Sequence, residues 1–348
     1  MREECASNLR VESLRATHLP MINACNQAKD SAWLQALLLR SFFAIAENSF
    51  VKLLPSRNPF CLIALEENKV IGYIVIQPYN IKGTCWSITF PKILQNPKRN
   101  TSRDIYLALF KSALEFDSSR SKSWVVRCSA NNNEQLAIAR ELGFQPLKLF
   151  QYWNPSKNIK NKINYPISSL PEQYEWQQLT RRNAPILWSL EQTNLSAHLR
   201  QISDRHWRDL LNQKKECSGV LLSRKEGTTN ALAGLISQPG FKPQEVIQLL
   251  RDFAWDNRLS NILPSILSKL PIETSNFQLE TTANDLPINE ILEKYGWEKS
   301  NEEILLGRSL WRRKSTSKLT SQSRALESML GRLQPQQPQL PTPSLERR

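Results

Sequence analysis

The residues in this chain that could do chemistry are few and unevenly placed. Cys5, Cys25, Cys61, Cys85, Cys128 and Cys217 form no CxxC pair. Their irregular spacing does not suit a disulfide framework. Cys61, Cys85 and Cys128 stand in apolar runs and read as buried thiols. His18, His198 and His206 lack a neighbouring ligand pattern, so no metal is expected. The densest polar cluster is NPKRNTSRD at 96–104, where Lys98, Arg99 and Arg103 flank Thr101 and Ser102. Ser102 is a reasonable cap for a helix that starts there. A plain solvated helix start explains the same residues. No Walker-type loop, HExxH, GxSxG or kinase signature is present.

The elements that must position this cluster follow from periodicity. Leu9 to Leu14 reads as a strand, and Thr17 to Lys29 and Ser31 to Ala46 as helices. Phe60 to Leu65 and Val70 to Gln77 read as a hairpin around Glu66-Glu67-Asn68-Lys69. Cys85 to Phe90 is a strand stopped by Pro91, and a helix runs from Ser102 to Phe116. Trp124 to Ala130, Asn133 to Leu142 and Pro146 to Trp153 read as strand, helix and strand, with Gly143 closing the helix.

A similar order then returns. Trp176 to Leu179 suits a strand, and Ala184 to Gln192 and Asp204 to Gln213 suit helices. Gly219 to Ser223 and Ala231 to Ser237 suit a strand pair around Glu226-Gly227. Pro243 to Trp255 is expected to be a helix entered through proline. Phe277 to Ala283, Pro287 to Tyr295 and Glu303 to Trp311 suit strand, helix and strand. Trp124 to Gly143 spans the same distance as Phe277 to Gly296. Within it Ala130-Asn131 aligns with Ala283-Asn284, and Gly143-Phe144 with Gly296-Trp297. That recurrence predicts an internal duplication.

The expected organisation is a first domain at 1–153, a linker at 154–170, a second domain at 171–311 and a tail at 312–348. The net charge of +14 is concentrated outside the domains. Residues 311–348 carry eight Lys or Arg against two Glu, and the linker carries three Lys and no acid. Such segments attract polyanions in a salt-dependent way, so weak nucleic-acid binding is one reading and a solubilising tail the other. QPQQPQLPTP at 334–343 is expected to be extended and disordered. Leu326, Met329, Leu330 and Leu333 fall on one helical face, so a short helix at 321–333 could dock on the protein itself or on a protein partner. No segment is apolar and long enough to span a bilayer, and MREECASNLR lacks a signal peptide's apolar core; a cytoplasmic location is expected. Trp86, Trp124, Trp153, Trp297 and Trp311 lie in or beside strands and read as packing residues.

The element order, and above all WVVRCSANNNEQLAIARELGFQP at 124–146, resembles the GNAT acyltransferase superfamily. The resemblance covers residues 9–153 and, more faintly, 175–311. It implies a mixed α/β fold of two tandem GNAT-like domains, each a mostly antiparallel sheet flanked by helices. It also implies an acyl-CoA-dependent N-acyltransferase, with acetyl-CoA as co-substrate and an amine as acceptor. The family's pyrophosphate loop, Arg/Gln-x-x-Gly-x-Gly/Ala, would start at Arg99, placing Ser102 and Asp104 at the glycine positions; a carboxylate about 5 Å from a phosphate costs roughly 3 kcal/mol at an effective dielectric near 20, which Lys98, Arg99 and Arg103 could offset. The cofactor contacts it implies are Lys98, Arg99, Thr101, Ser102, Arg103 and Asn132. The tyrosine that often serves as acid is replaced by Ala139, and by Leu292 in the second half, so no catalytic residue is assigned. Asp285 stands where the first half has Asn132. The other readings are a non-catalytic tandem scaffold for a protein partner and a nucleic-acid- or ribosome-associated protein. The second half is expected to be structural or substrate-shaping.

Overall fold

In the computed structural model of the chain, the described residues are 9–24, 32–39, 59–115, 121–156, 170–225, 228–238, 245–271 and 277–310. The first half runs β1 (Leu9–Ser13), α1 (Leu19–Asn23), α2 (32–39), β2 (Phe60–Glu66), β3 (Lys69–Pro78), β4 (Cys85–Ile88) and β5 (Lys92–Ile93). It continues with α3 (Ser102–Glu115), β6 (Ser123–Ser129), α4 (Asn133–Glu141) and β7 (Gln145–Pro155). The second half runs β8 (Tyr174–Gln178), α5 (Ala184–Thr193), α6 (Ala197–Ser203), α7 (Trp207–Asn212), β9 (Gly219–Lys225), β10 (Thr228–Ser237) and β11 (Glu245–Arg251). It closes with α8 (Arg258–Leu267), β12 (Phe277–Thr282), α9 (Leu286–Lys294) and β13 (Trp297–Ser309). The linker core at 157–169, the turn at 226–227, Trp311 and the tail helix lie outside the described residues.

The duplication is visible in local geometry. Asn132 caps α4 by accepting from the Gln135 N–H at 3.0 Å. Gly143 follows α4 at φ 82°, and Gly296 follows α9 at φ 81°, the left-handed conformation that glycine supplies at a helix end. Glu67 and Asn68 turn the β2–β3 hairpin at φ 49° and 64°.

One expected element is corrected. The stretch from Pro243 is no helix where described: Glu245–Arg251 is strand β11, parallel to β12. Val246, Ile247, Leu249 and Leu250 are all buried. A parallel strand buried on both faces is apolar without alternation, so periodicity cannot tell it from a buried helix. The helix of this crossover comes later, at α8.

The described strands form one sheet in the order β1-β2-β3-β4-β6-β13-β7-β12-β11-β10-β9-β8, with β5 paired to β3. The two halves exchange their last strands. β13 lies antiparallel between β6 and β7, while β7 lies antiparallel between β13 and β12. Each half thus completes the other about a pseudo-two-fold axis. Against one face of the first half pack α3 and α4, over a core of Trp86, Ile105, Phe110, Trp124 and Phe144. In the second half the core beneath α8 and α9 holds Trp153, Ile262, Ile266, Leu292 and Trp297. On the opposite face Leu199 and Ile202 of α6 cover Cys85, Val125 and Leu305, so a helix of the second half roofs the first.

Candidate functional site

β4 and β6 are parallel neighbours from Cys85↔Ser123 to Ile88↔Val126. The chain after β4 then leaves, because Thr89 donates its N–H to Val75 O at 2.9 Å and β5 pairs with β3. β6 continues through Arg127, Cys128 and Ser129, where among the described residues only β13 pairs with it. The result is a wedge at the carboxyl ends of two parallel strands, where open α/β sheets bind ligands. The α3 and α4 amino termini follow these strands.

The loop at 96–104 is closed on itself. Glu66, at the end of β2, is 3% exposed. Its carboxylate accepts from the backbone N–H groups of Lys98 (2.7 Å), Arg99 (3.1 Å) and Asn100 (3.0 Å), and from Asn100 Nδ2 (2.7 Å). The Lys98 N–H foremost, then the Asn100 side chain and the other two amides, outweigh burial and lower its pKa to about 2. Asp104 accepts from Thr101 N–H (3.0 Å) and Oγ1 (2.6 Å), while its own N–H donates to Thr101 Oγ1 at 3.2 Å. This is a reciprocal cap, and its Thr101 bonds pull the Asp104 carboxyl below its ordinary value. Arg99 pairs with Glu67 at 2.8 Å and Arg103 with Glu141 at 2.5 Å. Lys98, Arg99, Thr101, Ser102 and Arg103 thus share the loop and helix start, where most of the donors described face carboxylates of the chain itself. Asn132 sits at the start of α4, its Oδ1 used as the cap. Glu66 had read as a turn residue; its partners lie 32–34 positions away, so no local pattern announces them.

The second half repeats the wedge and bridges it. β11 and β12 part after Gln248↔Glu280. Arg251, at the end of β11, meets Asp285 before α9 through Nε at 2.7 Å and a second nitrogen at 2.9 Å. Both side chains are largely buried, and the fork-on-carboxylate geometry spans the mouth.

Between the wedges, across the pseudo-axis, runs a polar cluster. Arg127 on β6 pairs with Glu280 on β12 and donates to Tyr152 Oη on β7 at 2.6 Å. Tyr152 Oη donates to Glu303 on β13 at 2.8 Å. Arg127 and Glu280 occupy the same repeat position, 153 residues apart. A second ion pair, Arg205–Glu191 at 2.5 Å, is almost wholly buried. Burial raises the Glu191 carboxyl, and Arg205 opposes the shift. Glu191 Oε2 and Arg205 Nε have no partner among the described residues. They line a cavity of about 20 Å³ with Tyr79, Arg127 and Gln248, room for one water molecule.

The shared strands and the opposite charges give a direct expectation. Separately expressed fragments 1–156 and 170–311 should recombine into a 1:1 complex. Neither should form a stable self-dimer, since that would oppose Arg127 to Arg127 or Glu280 to Glu280. Light scattering on the mixed and separate fragments checks this; a stable dimer of fragment 1–156 alone would contradict it.

Cys61, Cys85, Cys128 and Cys217 are buried and unpaired, and burial pushes the Cys85 and Cys128 thiols up to about 12, which leaves them unreactive. Among the described residues no group of three His, Cys, Asp or Glu is placed to hold a metal ion, and no helix is long and apolar enough to cross a membrane. A surface cavity of about 740 Å³ lies where Ile81 faces Arg181, Trp207, Arg208 and Lys214. It shares no residue with either wedge.

No protein-family model and no curated protein matches the chain. Solved structures do. The chain is similar to a GCN5-related N-acetyltransferase from Sphaerobacter thermophilus, with TM-score 0.52 and 11% identity over 87% of this chain and 96% of that one. It is also similar to a tandem GNAT protein from the clavulanic acid biosynthesis pathway, with TM-score 0.50 and 11% identity over 86% and 98%. Both likenesses cover most of the chain, which has the GNAT fold in tandem.

Proposed function

We propose that the chain is an N-acyltransferase that works from the first-half wedge, with the second half as its scaffold. The observation that carries this reading is the asymmetry of the two wedges: β6 beyond Val126 and β12 beyond Glu280 each have a strand on one side only among the described residues, and it is the second mouth that Arg251–Asp285 spans. An extended thioester arm can lie along an unpaired strand edge as an added strand would. The acceptor amine attacks the thioester carbonyl carbon. The C–N bond forms, the C–S bond breaks, and the proton lost by the nitrogen ends on the departing sulfur, giving amide and thiol. Ala139 is buried and has no acidic proton to give the leaving sulfur, so the wedge accelerates the reaction by alignment of donor and amine. The acyl group is proposed to be acetyl. At the rim, Lys98 Nζ and Asn132 Nδ2 are the contacts proposed to meet the donor.

The test is amine-dependent thiol release from an acetyl thioester across a panel of amines, joined to hydrogen exchange. Donor should slow exchange in Arg127–Ser129 and leave Leu249–Arg251 unchanged. Asp285→Asn should keep the rate within about twofold, because no step uses the second wedge. Absence of thiol release, or protection confined to Leu249–Arg251, would reject the proposal.

A further inference from the structure

The loop between β4 and α3 is where a phosphate-bearing donor would be gripped, since consecutive N–H groups converging beside a helix start form an anion cradle. In this chain that cradle already holds an anion. The N–H groups of Lys98, Arg99 and Asn100 converge on the Glu66 carboxylate, and the Thr101 N–H is taken by Asp104. Of the side chains that would add charge, Arg99 is engaged by Glu67 and Arg103 by Glu141; Lys98 Nζ, assigned above to the donor, is one charge set against the two carboxylates of Glu66 and Asp104. Glu66 is buried, so a phosphate could take the cradle only by displacing a carboxylate that holds four hydrogen bonds there. A diphosphate brought to the mouth would also meet the carboxylates of Glu66 and Asp104.

Resting on the acyl-transfer reading above, we infer that the donor is recognised through its acyl-pantetheine arm alone, the cradle being filled by Glu66, and that the nucleotide diphosphate of a coenzyme A thioester adds nothing to binding. The chain then accepts any acyl thioester carried on a pantetheine-like thiol, with or without a nucleotide. The bonds made and broken are those given above; the thiol released is pantetheine or coenzyme A according to the donor supplied.

Calorimetric titration of the full chain with acetyl-CoA and with S-acetylpantetheine tests this. The two dissociation constants should agree within about threefold. Glu66→Ala frees three N–H groups, and should tighten acetyl-CoA at least tenfold while leaving S-acetylpantetheine unchanged. Glu66→Gln keeps an acceptor for the loop and serves if the alanine variant does not fold; removing the charge should tighten acetyl-CoA alone, by about threefold or more. The ratio of the two donors within each protein sample is independent of how much of it is folded. Wild-type preference for acetyl-CoA by thirtyfold or more, or no change of that ratio in a folded Glu66 variant, overturns the inference and leaves acyl transfer standing. If wild type binds neither donor at millimolar concentration, both fall.

Discussion

Replacing Arg127 with methionine is expected to lower the unfolding free energy by about 3–5 kcal/mol, because it strands a buried charge. Glu280 is fully buried, with a relative side-chain exposure of 0%, and Arg127 is its ion-pair partner. Methionine fills much of the volume and supplies no proton. The double variant Arg127→Met/Glu280→Met should recover most of the loss, since two apolar side chains need no counter-charge. Tyr152 Oη would still donate to Glu303. Urea unfolding of the four proteins in the cycle measures the coupling. A single variant within 1 kcal/mol of wild type, on the order of an exposed pair, would show that Glu280 finds water or another donor. The recovery should cost specificity: without opposite charges at the repeat position, the separate fragments lose their bias against self-pairing.

This pair shows what the sequence could and could not reveal. The repeat itself was legible, because Gly143 and Gly296 end their helices for the same backbone reason, and Asn131 and Asn284 hold fixed offsets from them. The strands and helices around them follow from local patterning. The exchange of β7 and β13 was not legible. Strand partners are chosen by contacts more than a hundred residues apart, and Arg127 looks like any charged residue in an apolar run until Glu280 faces it. Burial on both faces of β11 removes the alternation that marks a strand, so its sequence reads as a helix. At the candidate site, the basic loop is located by the family resemblance, which puts Asp104 at a glycine position where a carboxylate is hostile to phosphate. Its role as the partner of Thr101 turns that obstacle into part of the loop's construction. Glu66 was invisible because a carboxylate at a hairpin end is ordinary; three amides from a distant loop give it its role.

That role predicts an acid-labile loop. The Glu66 carboxyl ionises in the folded chain at about 2, below its ordinary 4.5, first through the Lys98 N–H. A depressed carboxyl stabilises the fold where it is ionised in both states, above about 4.5. The contribution fades as pH falls, since the unfolded chain takes up the proton first. Wild type should therefore exceed Glu66→Gln in unfolding free energy at pH 6, and the gap should narrow steadily between pH 5 and pH 2. Urea unfolding at stepped pH, down to the lowest value at which both proteins fold, gives the difference directly. A gap that stays constant through that window would place the Glu66 proton equilibrium at its ordinary position. It would also break the link between the filled cradle and the donor, because a carboxylate so weakly held would yield to phosphate.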